Sequence, residues 1–387
     1  MILFKKCELY APDYKGRKDI LTGGGKILLI ADDIAKPDGY PVEEISCDGL
    51  KVVPGFVDAH IHIAGAGGEG GPGTRTPEIQ LSMLVEAGVT TVVGCLGTDG
   101  MTRTVESVLM KAKGLKADGV TAYIYTGAYQ VPTPTITGDT GRDIAMIEEV
   151  IGVGEIAISD HRSSWPSTDE LLRLTEHARV GGMLGGKAGL VNIHLGDQQN
   201  PFQPLYDVIE RSKGMLKLTQ FYPTHCNRND YTLVDAIEYA KKGGIVDITS
   251  SSYPYFPEYE VKPSKSVKML LEAGVPIERI TFTSDACGSL PGFDENGKLI
   301  KLEMGRPSAN FRELMDMVRD EDIPLETAVK VLTSSPADIL KLSAKGRIEE
   351  GKDADMVFIN NNEIYHVVAM GEFLMKDHTI LKKGNYE

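Results

Sequence analysis

PGFVDAHIH, residues 54–62, sets an apolar run directly before two histidines separated by one residue. In a β-strand, side chains i and i+2 share a side, so His60 and His62 can offer two imidazole nitrogens to one point. That is the outline of a metal site at the end of a buried strand. The stretch alone leaves a second reading open, in which both histidines cap the strand and bond to carbonyls.

Working outward, runs rich in Val, Ile and Thr recur at residues 52–57, 90–96, 121–126, 150–158, 189–194, 217–225, 244–249 and 279–284. Helical patterns lie between most of them. Thr76, Pro77 and Gly88 predict a helix over 76–87, and Ser167 with Glu170 forms a capping-box pattern ahead of Leu171, Leu172 and Leu174. Near-continuously apolar strands alternating with helices predict an α/β fold, a (β/α)8 TIM-type barrel over residues 54–345. Residues 1–53 and 346–387 are β-rich and broken by turn residues, which predicts a small β-sandwich domain built from both termini. Gly23–Gly25 lacks the lysine of a phosphate-binding loop and reads as a turn.

Composition narrows the function. The 387 residues suit one large domain with a smaller appendage. With 42% hydrophobic and 25% charged residues the chain reads as a soluble globular protein. A formal net charge of -14 argues against a nucleic-acid partner or an anionic membrane surface. The start, MILFKKCELY, carries no long apolar run, and no stretch is long enough to span a bilayer, so the expected location is cytoplasmic. Cys7, Cys47, Cys95, Cys226 and Cys287 are odd in number with no CxxC spacing, which speaks against a disulfide framework or a thiolate zinc knot.

Active sites of such barrels sit at the C-terminal ends of the strands. His60 and His62 end the first run, Glu155 lies in the fourth, His194 ends the fifth, His225 ends the sixth and Asp285 follows the eighth. His161, His177, His366 and His378 fall in helix, loop or terminal segments. Of these, His177, His366 and His378 read as surface residues, and His161, between Asp160 and Arg162, stays open.

Several motifs then coincide: GFVDAHIH, the loop GAGGEGGPGTRTPE, EAGVTTVVGCLGTD, TGAYQVP, AISDHRS, His194 with Gly196 and Asp197 beyond it, PTHCNRN and SDACGS. Together they resemble the amidohydrolase superfamily and, within it, the isoaspartyl dipeptidases, over nearly the whole chain. The resemblance implies two divalent metal ions, usually Zn2+. His60, His62 and Asp285 would hold one, His194 and His225 the other, with an anionic side chain of the fourth strand bridging. Histidine and carboxylate donors suit zinc without excluding manganese, cobalt or iron. It implies hydrolysis of the isopeptide bond of β-aspartyl dipeptides by a metal-bridging hydroxide, with Asp285 as proton shuttle and Tyr129 stabilising the developing oxyanion. Glu69 would meet the substrate ammonium and Arg162 and Arg228 its carboxylates by bidentate pairing, with Thr98 and Ser289 as supplementary donors. Cys226 and Cys287, beside ligands, read as small buried residues. A homo-oligomer, an octamer in one form, is also implied.

Two rivals are a cyclic-amide hydrolase of the hydantoinase or dihydroorotase type, which makes Glu69, Tyr129 and Arg228 incidental, and a non-catalytic amidohydrolase-like scaffold, which leaves the complete ligand set unexplained. The chain departs from the family at one position. Where the family pattern VIGVK carries a lysine whose carbamate bridges the metals, this sequence reads VIGVGE over residues 150–155. Glu155 supplies the same charge on a shorter side chain, so the extra residue predicts a bulge near Gly154 that re-aims it.

Overall fold

The computed structural model describes residues 1–294, 296 and 298–387. Its chain begins with β1 (Ile2–Tyr10), β2 (Tyr14–Gly23), β3 (Lys26–Ala31), β4 (Glu43–Ser46) and β5 (Lys51–Pro54). β2 and β3 form a hairpin across Gly24 and Gly25, whose φ values of 59° and 79° favour glycine; this is the predicted turn. One residue, Gly55, separates β5 from β6 (Phe56–Ile61). A Cβ on Gly55 would stand 2.3 Å from Thr90 Oγ1 and 2.9 Å from the Asp355 Cβ, so only glycine lets the chain cross here. The expected single run 52–57 is therefore two strands in two different sheets, because apolar character alone carries no mark of a change of sheet.

β6 begins a parallel series continued by β7 (Val89–Gly94), β8 (Thr121–Thr126), β9 (Val150–Ile158), β10 (Leu190–Leu195), β11 (Phe221–Thr224), β12 (Val246–Thr249) and β13 (Ile280–Thr283). The first six form one sheet in the order β11-β10-β9-β8-β7-β6, and β12 pairs with β13 in a second. Backbone bonds join the two pieces at both edges: Cys226 N to Asp247 O (3.1 Å) on one side, Asp285 N to His60 O (3.1 Å) and His62 N to Ala286 O (2.9 Å) on the other. The parallel sheet is thus strongly curled. Helices such as Val105–Ala117, Thr168–Gly185 and Asp230–Lys241 intervene between strands, and the strands are buried on both faces, as their unbroken apolar runs require. The fold is mixed α/β.

The Ser167–Glu170 capping box forms as expected, and its helix ends at Gly186 in the left-handed conformation. The expected helix over 76–87 is only Leu81–Glu86. Thr76 does not cap it; its hydroxyl donates to Cys287 O and accepts from Ala66 N, both at 2.6 Å. That ties the segment to the Gly-rich loop.

After β13 comes an antiparallel hairpin, β14 (Ser289–Phe293) and β15 (Leu299–Met304), for which the sequence carried no expectation. The chain closes with β16 (Met356–Asn360), β17 (Glu363–Ala369), β18 (Glu372–Lys376) and β19 (Thr379–Ile380). These join the N-terminal strands in a nine-stranded sheet, β19-β18-β17-β16-β5-β1-β2-β3 with β4 on β1, so both chain ends build one unit. Lys345, 4% exposed, pins that unit to the parallel sheet through Asp353 (2.9 Å), Asp355 (2.7 Å) and Thr121 (2.6 Å). His366 lies in β17 and is 2% exposed, so it is no surface residue: strand alternation turns its ring onto Phe358 and Phe373. His177 and His378 are exposed.

Candidate metal centre and active site

The site is built around a fault in the β9–β10 ladder. Val191 faces Val153 and Ile193 faces Ile156, so two residues on β9, Gly154 and Glu155, stand opposite one on β10, Asn192, and form the bulge. Gly154 cannot be replaced without movement, since a Cβ there would stand 2.8 Å from both the Cβ and the carbonyl oxygen of Asn192. The bulge directs Glu155 between two histidine pairs. Its Oε1 lies 2.6 Å from His194 Nδ1 and 3.3 Å from His225 Nε2. Its Oε2 lies 3.5 Å from His60 Nε2 and 3.8 Å from His62 Nε2. Burial opposes ionisation of this carboxyl, but His60 and His194 hold it well below the usual range.

Neighbouring groups fix the rings. Asn192 donates through Nδ2 to the Tyr222 carbonyl (3.1 Å), which leaves its Oδ1 to accept from His60 Nδ1 (3.1 Å). In its neutral form His60 then carries its lone pair on Nε2, the nitrogen facing Glu155, while Cys95 and Glu155 shift the ring toward the protonated form. His225 Nδ1 is 2.7 Å from Thr249 Oγ1, and burial, then His194, pushes His225 down to about 4, which keeps it neutral. Asp285 Oδ1 lies 3.0 Å from His62 Nε2 and 3.7 Å from His60 Nε2.

At the rim, the Tyr129 hydroxyl is 2.9 Å from His194 Nδ1, and burial raises its phenol well above the ordinary value, so it remains a donor. Arg162 donates through Nε and Nη2 to the two oxygens of Asp160, both at 2.9 Å. Its fork is thus engaged by Asp160 in this structure, and Nη1 turns to Glu69 (3.4 Å) and Thr98 (3.5 Å). Arg228 pairs with Asp197 through Nε at 2.6 Å. Glu69 Oε2 and Ser289 Oγ are buried without a partner. His161, 81% exposed at its side chain, points out of the site.

Two residues were missed. Asp160, fully buried at its side chain, accepts from Arg162 and meets His194 Nε2 at 3.0 Å; the only sequence signal was its place in the DHR triplet. Cys95 stands among the histidines, its Sγ 3.7 Å from His60 Nε2 and 3.8 Å from His62 Nδ1, so the donor set is not free of thiol. Among the described residues, two groups place their donor atoms within 4.8 Å of one another: His60, His62, Cys95 and Glu155, and Glu155, His194 and His225. Buried oxygens without partners, Glu155 Oε2 and Asp285 Oδ1, face this cluster. Imidazoles converging on unpartnered carboxylate oxygens fit divalent metal ions, with Glu155 common to both groups.

Comparison with known proteins places this geometry. The beta-aspartyl dipeptidase of Fervidobacterium islandicum AW-1, solved with beta-Asp-Leu, superposes at a TM-score of 0.93 with 41% identity, over 100% of this chain and 98% of that one. The chain belongs to the beta-aspartyl dipeptidase family. A second structure from the same organism gives 0.90 at 39% identity over the full length of both. The model of the amidohydrolase family matches residues 193–378, placing these dipeptidases in that superfamily. The chain is accordingly a hydrolase of the dipeptidase class, and the scaffold reading falls away. The dihydropyrimidinase of Brevibacillus agri NCHU1002, at 16% identity and a TM-score of 0.67 over 99% of this chain and 96% of that one, shares the fold. The allantoinase of Escherichia coli K12 is 24% identical over 90% of this chain and 83% of its own length.

Proposed function

We propose that this chain hydrolyses the isopeptide bond of β-aspartyl dipeptides at a binuclear metal centre held by His60, His62, Asp285, His194 and His225 and bridged by Glu155. The observation that carries the reading is the division of the two Glu155 oxygens between two histidine pairs. Bound divalent ions, with zinc the best match to these donors, would supply an acidified water and polarise the amide carbonyl.

The chain's own residues do the rest. Asp285, beside His62, takes a proton from the attacking water and delivers it to the leaving amine. The Tyr129 hydroxyl donates to the carbonyl oxygen as negative charge develops there. Glu69 Oε2, buried without a partner, receives the substrate ammonium. Arg228, whose partner Asp197 is 63% exposed at its side chain, can exchange that ion pair for a substrate carboxylate. Arg162 Nη1, Thr98 and Ser289 complete the polar wall.

The same reading takes the curled parallel sheet as a closed (β/α)8 barrel over 54–345 and the nine-stranded sheet of 1–53 and 346–387 as a β-sandwich domain. Backbone bonds at both edges of the β12–β13 pair support closure. Separate apolar clusters, one around Phe4 and Phe358 and one around Leu3 and Val42, support two-sided packing of the terminal sheet. Five free, buried cysteines suit a reducing, cytoplasmic setting. Exposed Met146, Met183 and Leu184 supply apolar surface for a homo-oligomer.

The deciding assay compares β-Asp-Leu, α-Asp-Leu and dihydroorotate with metal-loaded protein. The α isomer displaces one charge relative to Glu69 and Arg228, so kcat/KM should favour the β linkage by ~100-fold or more. Equal turnover of both linkages would sink the substrate assignment, and turnover of dihydroorotate alone would favour a cyclic-amide hydrolase.

A further inference from the structure

Cys95 sits at the C-terminal end of β7, and no step above uses it. It is fully buried, and its Sγ lies 3.7 Å from His60 Nε2 and 3.8 Å from the His62 ring at Nδ1. The nearest alternative partner is the Ile61 carbonyl, at 3.7 Å. Around a tetrahedral zinc with bonds of about 2.0–2.1 Å to nitrogen and 2.3 Å to sulfur, nitrogen and sulfur ligands stand roughly 3.6 Å apart, and nitrogen and oxygen ligands roughly 3.4 Å. The separation of 3.7 Å between Cys95 Sγ and His60 Nε2, and of 3.5 Å between His60 Nε2 and Glu155 Oε2, are edges of that size. An independent feature marks the same point as a ligand position: Glu155 Oε2, in a residue 1% exposed, has no hydrogen-bond partner.

We propose that Cys95 is a thiolate ligand of the metal ion held by His60, His62 and Glu155. The inference rests on the binuclear reading above and adds a soft donor to a set otherwise made of imidazole and carboxylate. The two metal positions then differ in kind. The one next to β7 carries sulfur and prefers zinc, cadmium or cobalt; the one at His194 and His225 has only nitrogen and oxygen donors.

The test is spectroscopic. Metal-free protein titrated with Co2+ should develop an intense near-ultraviolet sulfur-to-cobalt charge-transfer band. That band should disappear in Cys95→Ser and persist in Cys287→Ser, whose thiol is no member of either donor group. Cys95→Ser should also lose affinity for Cd2+ at least tenfold more than for Mn2+. Should Cys95→Ser fail to fold, zinc-edge X-ray absorption of the unaltered protein answers the same question, with a sulfur shell at about 2.3 Å expected. Two metal ions bound with neither the band nor the sulfur shell would overturn the Cys95 assignment and leave the binuclear site standing. Failure to bind Co2+ or Zn2+ at all would overturn both.

Discussion

The protein buries histidine in two places, and the contrast between them separates structure from chemistry. In the terminal sheet, His366 accepts one hydrogen bond from the Asp377 amide at 3.0 Å, packs on Phe358 and Phe373, and leaves no carboxylate near it without a partner. At the strand ends, four histidines converge on Glu155 and Asp285, each with one buried oxygen that finds no hydrogen bond. Only the second leaves ligand atoms over. Buried carboxylate oxygens without partners, set among converging imidazoles, are therefore the mark of a cation site, which buried histidine by itself is not.

The sharpest way to break this contrast is Glu155→Ala. It should abolish binding of at least one metal ion and lower kcat/KM by ~10^4-fold or more, about 5 kcal/mol of barrier. Metal analysis alongside kinetics checks both halves, and the unaltered enzyme should reconstitute without bicarbonate. A Glu155→Ala protein that keeps two metals and its rate would show that the orphaned oxygen has no ligand role. Next in size is Asp285→Asn, for which kcat should drop by ~10^3-fold, within the range for losing a general acid and base, with KM little changed. Arg228→Ala should act mainly on KM, raising it by ~10–100-fold for β-Asp-Leu; an effect confined to kcat would move Arg228 from binding to orientation.

The smallest effect tests the other histidine. Burial pushes the folded His366 down to about 4 from an ordinary 6.5. The unfolded chain thus binds the extra proton first, so stability is fully present above pH 6.5 and declines as pH falls toward 4. Replacing it by a group that does not titrate, in His366→Gln, should flatten the pH dependence of unfolding between pH 6.5 and 4 by up to ~3 kcal/mol relative to the unaltered protein. Identical profiles in the two proteins would mean that His366 takes up its proton in the folded state.

The ligand histidines were legible because strand geometry converts residue spacing directly into shared direction, as at His60 and His62. The bulge was legible for a similar reason: one extra residue beside glycine changes which way Glu155 points. Other features depend on contacts that no local pattern encodes. Cys95 joins His60 and His62 from the neighbouring strand, and nothing around it resembles ligand spacing. Thr76 carries a helix-capping signature, yet Arg103 donates to the carbonyls of Ala64, Ala66 and Thr76 and holds that loop in another conformation. Arg162 looked available for substrate until Asp160, two residues before it, closed its fork. At Thr76 a tertiary partner overrode local propensity.

Gly55 joins the two sheets through a single residue, and β5 on its near side pairs with β16, where Pro54 faces Met356. That neighbour is made about 300 residues later in synthesis. β5, one residue before the strand of His60, therefore emerges early from the ribosome but lacks its β16 neighbour until about 300 more residues have been translated. A nascent chain arrested before β16 would carry every proposed ligand and still lack the strand that flanks the crossing at Gly55.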